Sequence, residues 1–105
     1  MEYQIQENCL TVFMPKEVDH YSSEKIKQDA DKLIQKKHIK HMIFDFKNTD
    51  FMDSSGIGVI MGRYRLLSII GGEIWAVHVS ERLKKTLLMS GVGKYIHVCE
   101  EEELR

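Results

Sequence analysis

The stretch from Met42 to Gly72 leaves this chain little freedom. Met42-Ile43-Phe44-Asp45-Phe46 is apolar and too short for a helix, so it reads as a strand. Beyond it, Ile57, Ile60, Met61, Tyr64 and Leu67 recur at helical spacing, which predicts a helix from about Ser55 to Ile70 with one apolar face. Gly71-Gly72 stops that helix, because glycine readily takes the left-handed conformation at a helix end. Between strand and helix lies Phe51-Met52-Asp53-Ser54-Ser55-Gly56, which puts an acid and two hydroxyls at the helix mouth. Unpaired N–H groups and the positive end of the helix dipole favour a negative group there. One serine is free to cap the helix and the other to carry a phosphate. Ser55 stands nearer the apolar repeat and is the better cap, which leaves Ser54 just outside the helix with an exposed hydroxyl.

The flanks repeat the strand-helix pattern. Tyr3 to Glu7 and Cys9 to Met14 read as two strands turning at Asn8, the second ended by Pro15, the only proline. Lys16 to Tyr21 reads as a polar loop carrying Glu17, Asp19 and His20. Ser22 or Ser23 is expected to cap a helix running to about Lys37 on Ile26, Ala30, Leu33 and Ile34. Glu73 to Val79 reads as a strand buried on both faces. Ser80 caps a short helix holding Leu83, Leu87 and Leu88, which Gly91 ends. Tyr95 to Cys99 makes a last strand, and Glu100 to Glu103 a solvated acidic end. Alternating strands and helices in 105 residues predict one α/β domain over the whole chain. Its sheet is mixed and mostly parallel, of about five strands with an antiparallel first strand, and three or more helices pack on it.

Several chemistries are disfavoured. Fifteen Lys and Arg against 16 Asp and Glu give a net charge of −1, and the basic residues are dispersed, which argues against a nucleic-acid surface. No apolar run approaches the roughly 18 residues of a membrane span, and the first residues lack signal-peptide character, so a cytoplasmic protein is expected. Cys9 and Cys99 are isolated and read as reduced thiols. The histidines at 20, 38, 41, 78 and 97 are scattered without metal-ligand spacing. Met14, Met42, Met52, Met61, Met89 and Trp75 read as core. Neither Ser54 nor Ser55 lies in G-x-S-x-G. Gly56, Gly58 and Gly62 form G-x-G-x-x-x-G, one residue longer than a dinucleotide-binding turn, and Glu73 stands at the start of the next strand, not at its end. Gly58 and Gly62 make a smooth helical face for another backbone, the protein's own or a partner's. No cofactor is expected.

Phe51-Met52-Asp53-Ser54-Ser55-Gly56-Ile57-Gly58, continuing to Gly62-Arg63-Tyr64, resembles the signature of STAS-domain anti-sigma factor antagonists, and most of all the sporulation type that counteracts the anti-sigma factor of sigma-F. Glu17-Val18-Asp19-His20, Gly71-Gly72-Glu73 and Met89-Ser90-Gly91-Val92 are similar to that family's other landmarks, so the resemblance spans nearly the whole chain. It implies a switch, not an enzyme. The unphosphorylated antagonist binds an anti-sigma factor that is also a serine kinase, and sigma is released. The kinase phosphorylates the serine after the motif's aspartate, here Ser54, and a metal-dependent serine phosphatase reverses this. The resemblance puts partner contacts at Asp19, Asp53, Ser54, Ser55, Gly58 and Arg63. Asp19 is expected on the same edge as Ser54, exposed, and replaceable by alanine with little change in stability. Pro15-Lys16 departs from the glycine the family often has there, and Ile57 replaces the commoner leucine. The alternative, from a different class, is a nucleotide- or small-ligand-binding module using the glycines and the helix N-terminus.

Overall fold

The computed structural model describes residues 1–100. In chain order the elements are β1 (Glu2–Gln6), β2 (Cys9–Phe13), β3 (Glu17–Val18), α1 (His20–Lys37), β4 (His41–Asp45), β5 (Phe51–Met52), α2 (Ser54–Ser68), β6 (Ile74–Val79), α3 (Glu81–Met89), a 3-10 turn (Val92–Lys94) and β7 (His97–Glu100). A two-residue turn at Glu7-Asn8, with Glu7 left-handed at φ 57°, folds β1 antiparallel onto β2. Every other neighbour in the five-stranded sheet, ordered β1-β2-β4-β6-β7, is parallel. The expected mixed α/β sheet and its three helices are therefore present. The two-residue strands β3 and β5 form a separate parallel pair.

Strand order decides where the core sits. It runs from β2 to β7 without reversal, so crossovers of one hand lay α1, α2 and α3 on the same face. The residues pointing to that face stand in register, Leu10 beside Met42 beside Ile74 and Val12 beside Phe44 beside Ala76, and all are at most 1% exposed. Ile26 and Ala30 of α1, Val59, Ile60 and Leu67 of α2, and Leu83 and Leu87 of α3 close over them in one core.

The other face carries Thr11, Ile43, Trp75 and Val77, all half-buried. This corrects the reading of β6 as buried on both faces, and of Trp75 as core. An apolar run does not say whether one layer or two will cover it. Trp75 lies between two histidines from neighbouring strands, stacked on His97 at 5.0 Å and edge-on to His41 at 5.8 Å. His41 and His97, distant in sequence, thus flank Trp75 from the strands on either side, and His97 contacts Glu73 at 2.7 Å.

Other ends also differ from the pattern. Leu83 and Leu87, four apart, use up the inward stripe of the nine-residue α3, so Leu88 and Met89 face solvent. Glu100 is not a solvated acid: it lies in β7 and pairs with Lys84. Residues 101–103 of the acidic run lie outside the described residues. α2 stops at Ser68, leaving Ile69 and Ile70 exposed. Gly71 is left-handed as expected (φ 76°), and a Cβ on Gly72 would run into the Lys40 carbonyl.

Candidate functional site

The site begins with β3 and β5. Val18 pairs with Met52, both buried, and each strand then turns straight into a helix. Asp19 and Asp53 therefore leave the ladder side by side, with the Asp53 N–H donating to the Val18 carbonyl at 3.0 Å. Two-residue strands have no period to detect, so this ladder, which aligns the two helix mouths, was not legible in the sequence. The placement of Asp19 on the Ser54 edge does hold.

Both aspartates are extended in backbone and both are N-caps. Asp19 Oδ1 accepts from the Ser22 N–H at 2.9 Å, and Ser22 Oγ accepts from the Asp19 N–H at 3.0 Å, a reciprocal capping box. Neither Ser22 nor Ser23 is the cap of α1: Ser22 is its third residue, and Ser23 is buried. A carboxylate at the positive end of a helix adds charge to the acceptor role that a serine would fill. The Ser22 N–H, followed by the Ser22 hydroxyl, holds the Asp19 carboxyl below the ordinary carboxylate range. Asp19 is thus half-buried and holds the start of α1 as well as being accessible, so alanine there is expected to cost stability and not to leave it unchanged.

At α2, Asp53 Oδ1 accepts from the Ser55 N–H at 2.8 Å. Asp53, not Ser55, is the cap; Ser54 is the first residue of the helix, not the residue before it, and Ser55 the second. Among the described residues, neither serine hydroxyl makes a hydrogen bond. Ser54 is exposed, and Ser55 is half-buried. The third residue is Gly56, where a Cβ would run into the Met52 and Val18 side chains. Glycine is imposed there by the ladder packing, and no side chain exists to reach back to the cap.

Further along α2, a Cβ on Gly58 or Gly62 would meet nothing within 4 Å. These glycines do not seat the protein's own backbone; they leave a cleft open between α1 and α2. Arg63 closes part of it from within, 5% exposed, its Nε 3.0 Å from Asp31 Oδ1 of α1. Burial pushes the guanidinium pKa down, and Asp31 opposes this. Of the six residues singled out, Asp19, Asp53, Ser54 and Ser55 come together at one edge. Gly58 lies one turn on, exposed, and Arg63 is buried at the wall of the cleft.

The unreversed strand order also provides no switch-point crevice, and the three glycines lie within α2, not in a loop before it. Burial raises the pKa of the Cys9 thiol, which disfavours its thiolate form. Among the described residues, no cluster of three His, Cys, Asp or Glu is placed to hold a metal, and no helix is long and apolar enough to cross a membrane.

The STAS domain family model matches residues 1–104. The chain belongs to the STAS domain family. An anti-sigma F factor antagonist of Paenibacillus polymyxa is 35% identical over 102 residues, covering 97% of this chain and 87% of that one. Among solved structures, the anti-sigma factor antagonist SpoIIAA in its unphosphorylated form superposes with a TM-score of 0.82 at 27% identity, covering 98% of this chain and 92% of that one. The phosphorylated form of SpoIIAA, a Bacillus cell fate determinant, superposes at 0.74 with 27% identity, covering 98% and 96%. The STAS fold thus accommodates both states of that relative. In the present STAS domain, the β3–β5 pair and the two helix mouths it aligns are the parts that carry the candidate site.

Proposed function

We propose that this chain is an anti-sigma factor antagonist that works by partner switching, with Ser54 as the switch. The observation that carries the reading is the Ser54 hydroxyl: exposed, at the first position of α2, and unbound among the described residues. A kinase can take it without breaking a contact that holds the fold. Relatives named as anti-sigma factor antagonists support the partner class.

Unphosphorylated, the chain binds an anti-sigma factor that has serine kinase activity, and sigma is released. Asp19 and Asp53 present half-exposed carboxylates to basic groups of that partner, with Ser54, Ser55 and Gly58 forming the small-residue surface between and beyond them. Arg63 supports the surface by holding α2 against α1. A phosphate on Ser54 adds a charge of about −1.5 to −2 beside the Asp53 carboxylate. The N-terminal amides of α2 offset part of that locally, so the fold persists. A partner surface shaped for a hydroxyl must now desolvate a dianion next to two carboxylates, and binding is lost. A metal-dependent serine phosphatase restores the hydroxyl. This is a binding cycle, and the chain itself supplies no chemistry.

The test is incubation of the wild type, Ser54→Ala and Ser55→Ala with candidate anti-sigma kinases and ATP, with the phosphate mapped by mass spectrometry. Phosphate on Ser54 alone, and Ser54→Ala binding the kinase permanently, is the expected result. Phosphate on Ser55, or retained in Ser54→Ala, overturns the assignment. No phosphorylation by any candidate kinase returns the chain to the small-ligand alternative.

A further inference from the structure

Helices that cross between parallel strands run against them, so α1, α2 and α3 all begin on the edge that holds Asp19 and Ser54 and all end on the opposite one. The connections beyond α1 and α2 meet there: the Lys40 N–H donates to the Asn8 carbonyl at 2.8 Å, and Gly72 sits against the Lys40 carbonyl. On this far edge the ends of α2 and α3 turn apolar side chains outward. Ile69 is 83% exposed and Met89 88%, and Ile70 and Leu88 beside them are exposed too. Tyr95, also exposed, follows the 3-10 turn, which packs on both helices. Apolar residues scattered singly over a surface are ordinary, whereas a group of them on one edge marks an interaction surface.

Charge divides along the same axis. Lys36 and Lys37 at the end of α1, Lys40 after it and Lys94 in the 3-10 turn are exposed, and none joins an ion pair among the described residues. The far edge has Glu7 and Glu73 as its acids among those residues, and Glu73 contacts His97. On the Ser54 edge, Glu17, Asp19, Asp50, Asp53 and Glu81 outnumber Lys16, Lys47 and Arg82. A chain of net charge −1 is thereby polarised, acidic at one end and basic at the other.

We propose that the far edge docks on an anionic lipid bilayer, with Ile69, Ile70, Leu88 and Met89 entering the headgroup layer and the lysines around them meeting lipid phosphates. Charge and shape select this occupant. A second copy placed on the edge by a two-fold axis would set lysines against lysines. An acidic protein would need one closely packed apolar core, and here the apolar residues project from separate helix ends. A fluid bilayer takes in separate tips and gains from each, and anionic headgroups attract the lysines. The same headgroups repel the Ser54 edge, which is held away from the membrane and open to a protein. The proposal stands whether or not Ser54 is phosphorylated.

The experiment is co-sedimentation of the whole chain with vesicles of phosphatidylcholine, alone or mixed with phosphatidylglycerol, at low and physiological salt. The expected result is saturable binding that requires phosphatidylglycerol and weakens as salt rises. Lys36→Gln, Lys94→Gln, Ile69→Ser and Met89→Ser, all at exposed positions, each weaken binding about fivefold while the amide spectrum stays that of the folded chain. Lys47→Gln, on the Ser54 edge, leaves binding unchanged. No binding to the phosphatidylglycerol vesicles overturns the proposal, as does binding that Ile69→Ser and Met89→Ser do not alter or that Lys47→Gln weakens as much as Lys36→Gln. Binding to polyglutamate but not to vesicles, lost in the same variants, assigns the edge to an acidic protein and overturns the proposal as well.

Discussion

The mouths of α1 and α2 are built on one plan and finished differently. In each, a two-residue strand of the same ladder ends in an aspartate that caps a helix. At α1 the third helical residue is Ser22, whose hydroxyl returns to the cap and closes a box. At α2 the third residue is Gly56, because Val18 and Met52 occupy the space a side chain would need. The Asp53 N–H is satisfied across the ladder by Val18 instead. The α1 mouth is thus closed on itself, and its serine is committed to structure. The α2 mouth is held from outside and leaves its serines uncommitted. A serine that is to gain and lose a phosphate belongs at the second kind of mouth.

The largest expected effect breaks the comparison at its functional end. Ser54→Asp is expected to weaken binding to the kinase partner about tenfold or more, since a carboxylate there faces the same desolvation as a phosphate with less charge. A calorimetric titration reads this directly; affinity equal to wild type would make Ser54 no more than a capped helix residue. Next comes Gly56→Ala. Forcing a methyl between Met52 and Val18 is expected to destabilise by about 1–3 kcal/mol in urea unfolding. Gly58→Ala, in open space, should be neutral or stabilising by up to about 1 kcal/mol through helix propensity. Equal costs at the two positions would show that ladder packing does not dictate glycine at the third position.

Exchanging the caps sharpens the comparison further. Asp53→Ala is expected to lose about 1 kcal/mol, while Ser55→Ala stays within about 0.5 kcal/mol of wild type. The reverse order would restore Ser55 as the cap. The smallest effect is one of pH. Asp19 has a depressed carboxyl pKa in the fold, so its stabilisation is complete above the ordinary value of about 3.9 and is lost as pH falls through the lower folded value. The urea midpoint of the wild type should therefore decline on that acid limb. Asp19→Asn, which keeps the acceptor and removes the charge, should show a shallower decline, and an identical slope would detach Asp19 from acid sensitivity.

The sequence by itself determined the order of the three helices and the strands of the main sheet, the apolar stripes of α1 and α2, the Ser80 cap of α3 and the glycine stop after α2. Each follows from neighbours a few residues apart, where periodicity and helix-end chemistry act. The motif around Asp53-Ser54 and the acidic Asp19 segment were legible for the same reason. What only the tertiary structure decided involves partners distant in the chain. Val18 and Met52, 34 residues apart, set both caps and exclude a side chain at Gly56. Arg63, expected among the partner contacts, is buried against Asp31 of α1, a pairing set by how the two helices pack. Trp75 and Met89 looked like core until a one-sided helix layer left the first half-covered and a short α3 left the second outside. Hydrophobicity records that a residue can be buried; which face is covered is fixed by strand order and crossover hand, and those arise only when the sheet closes.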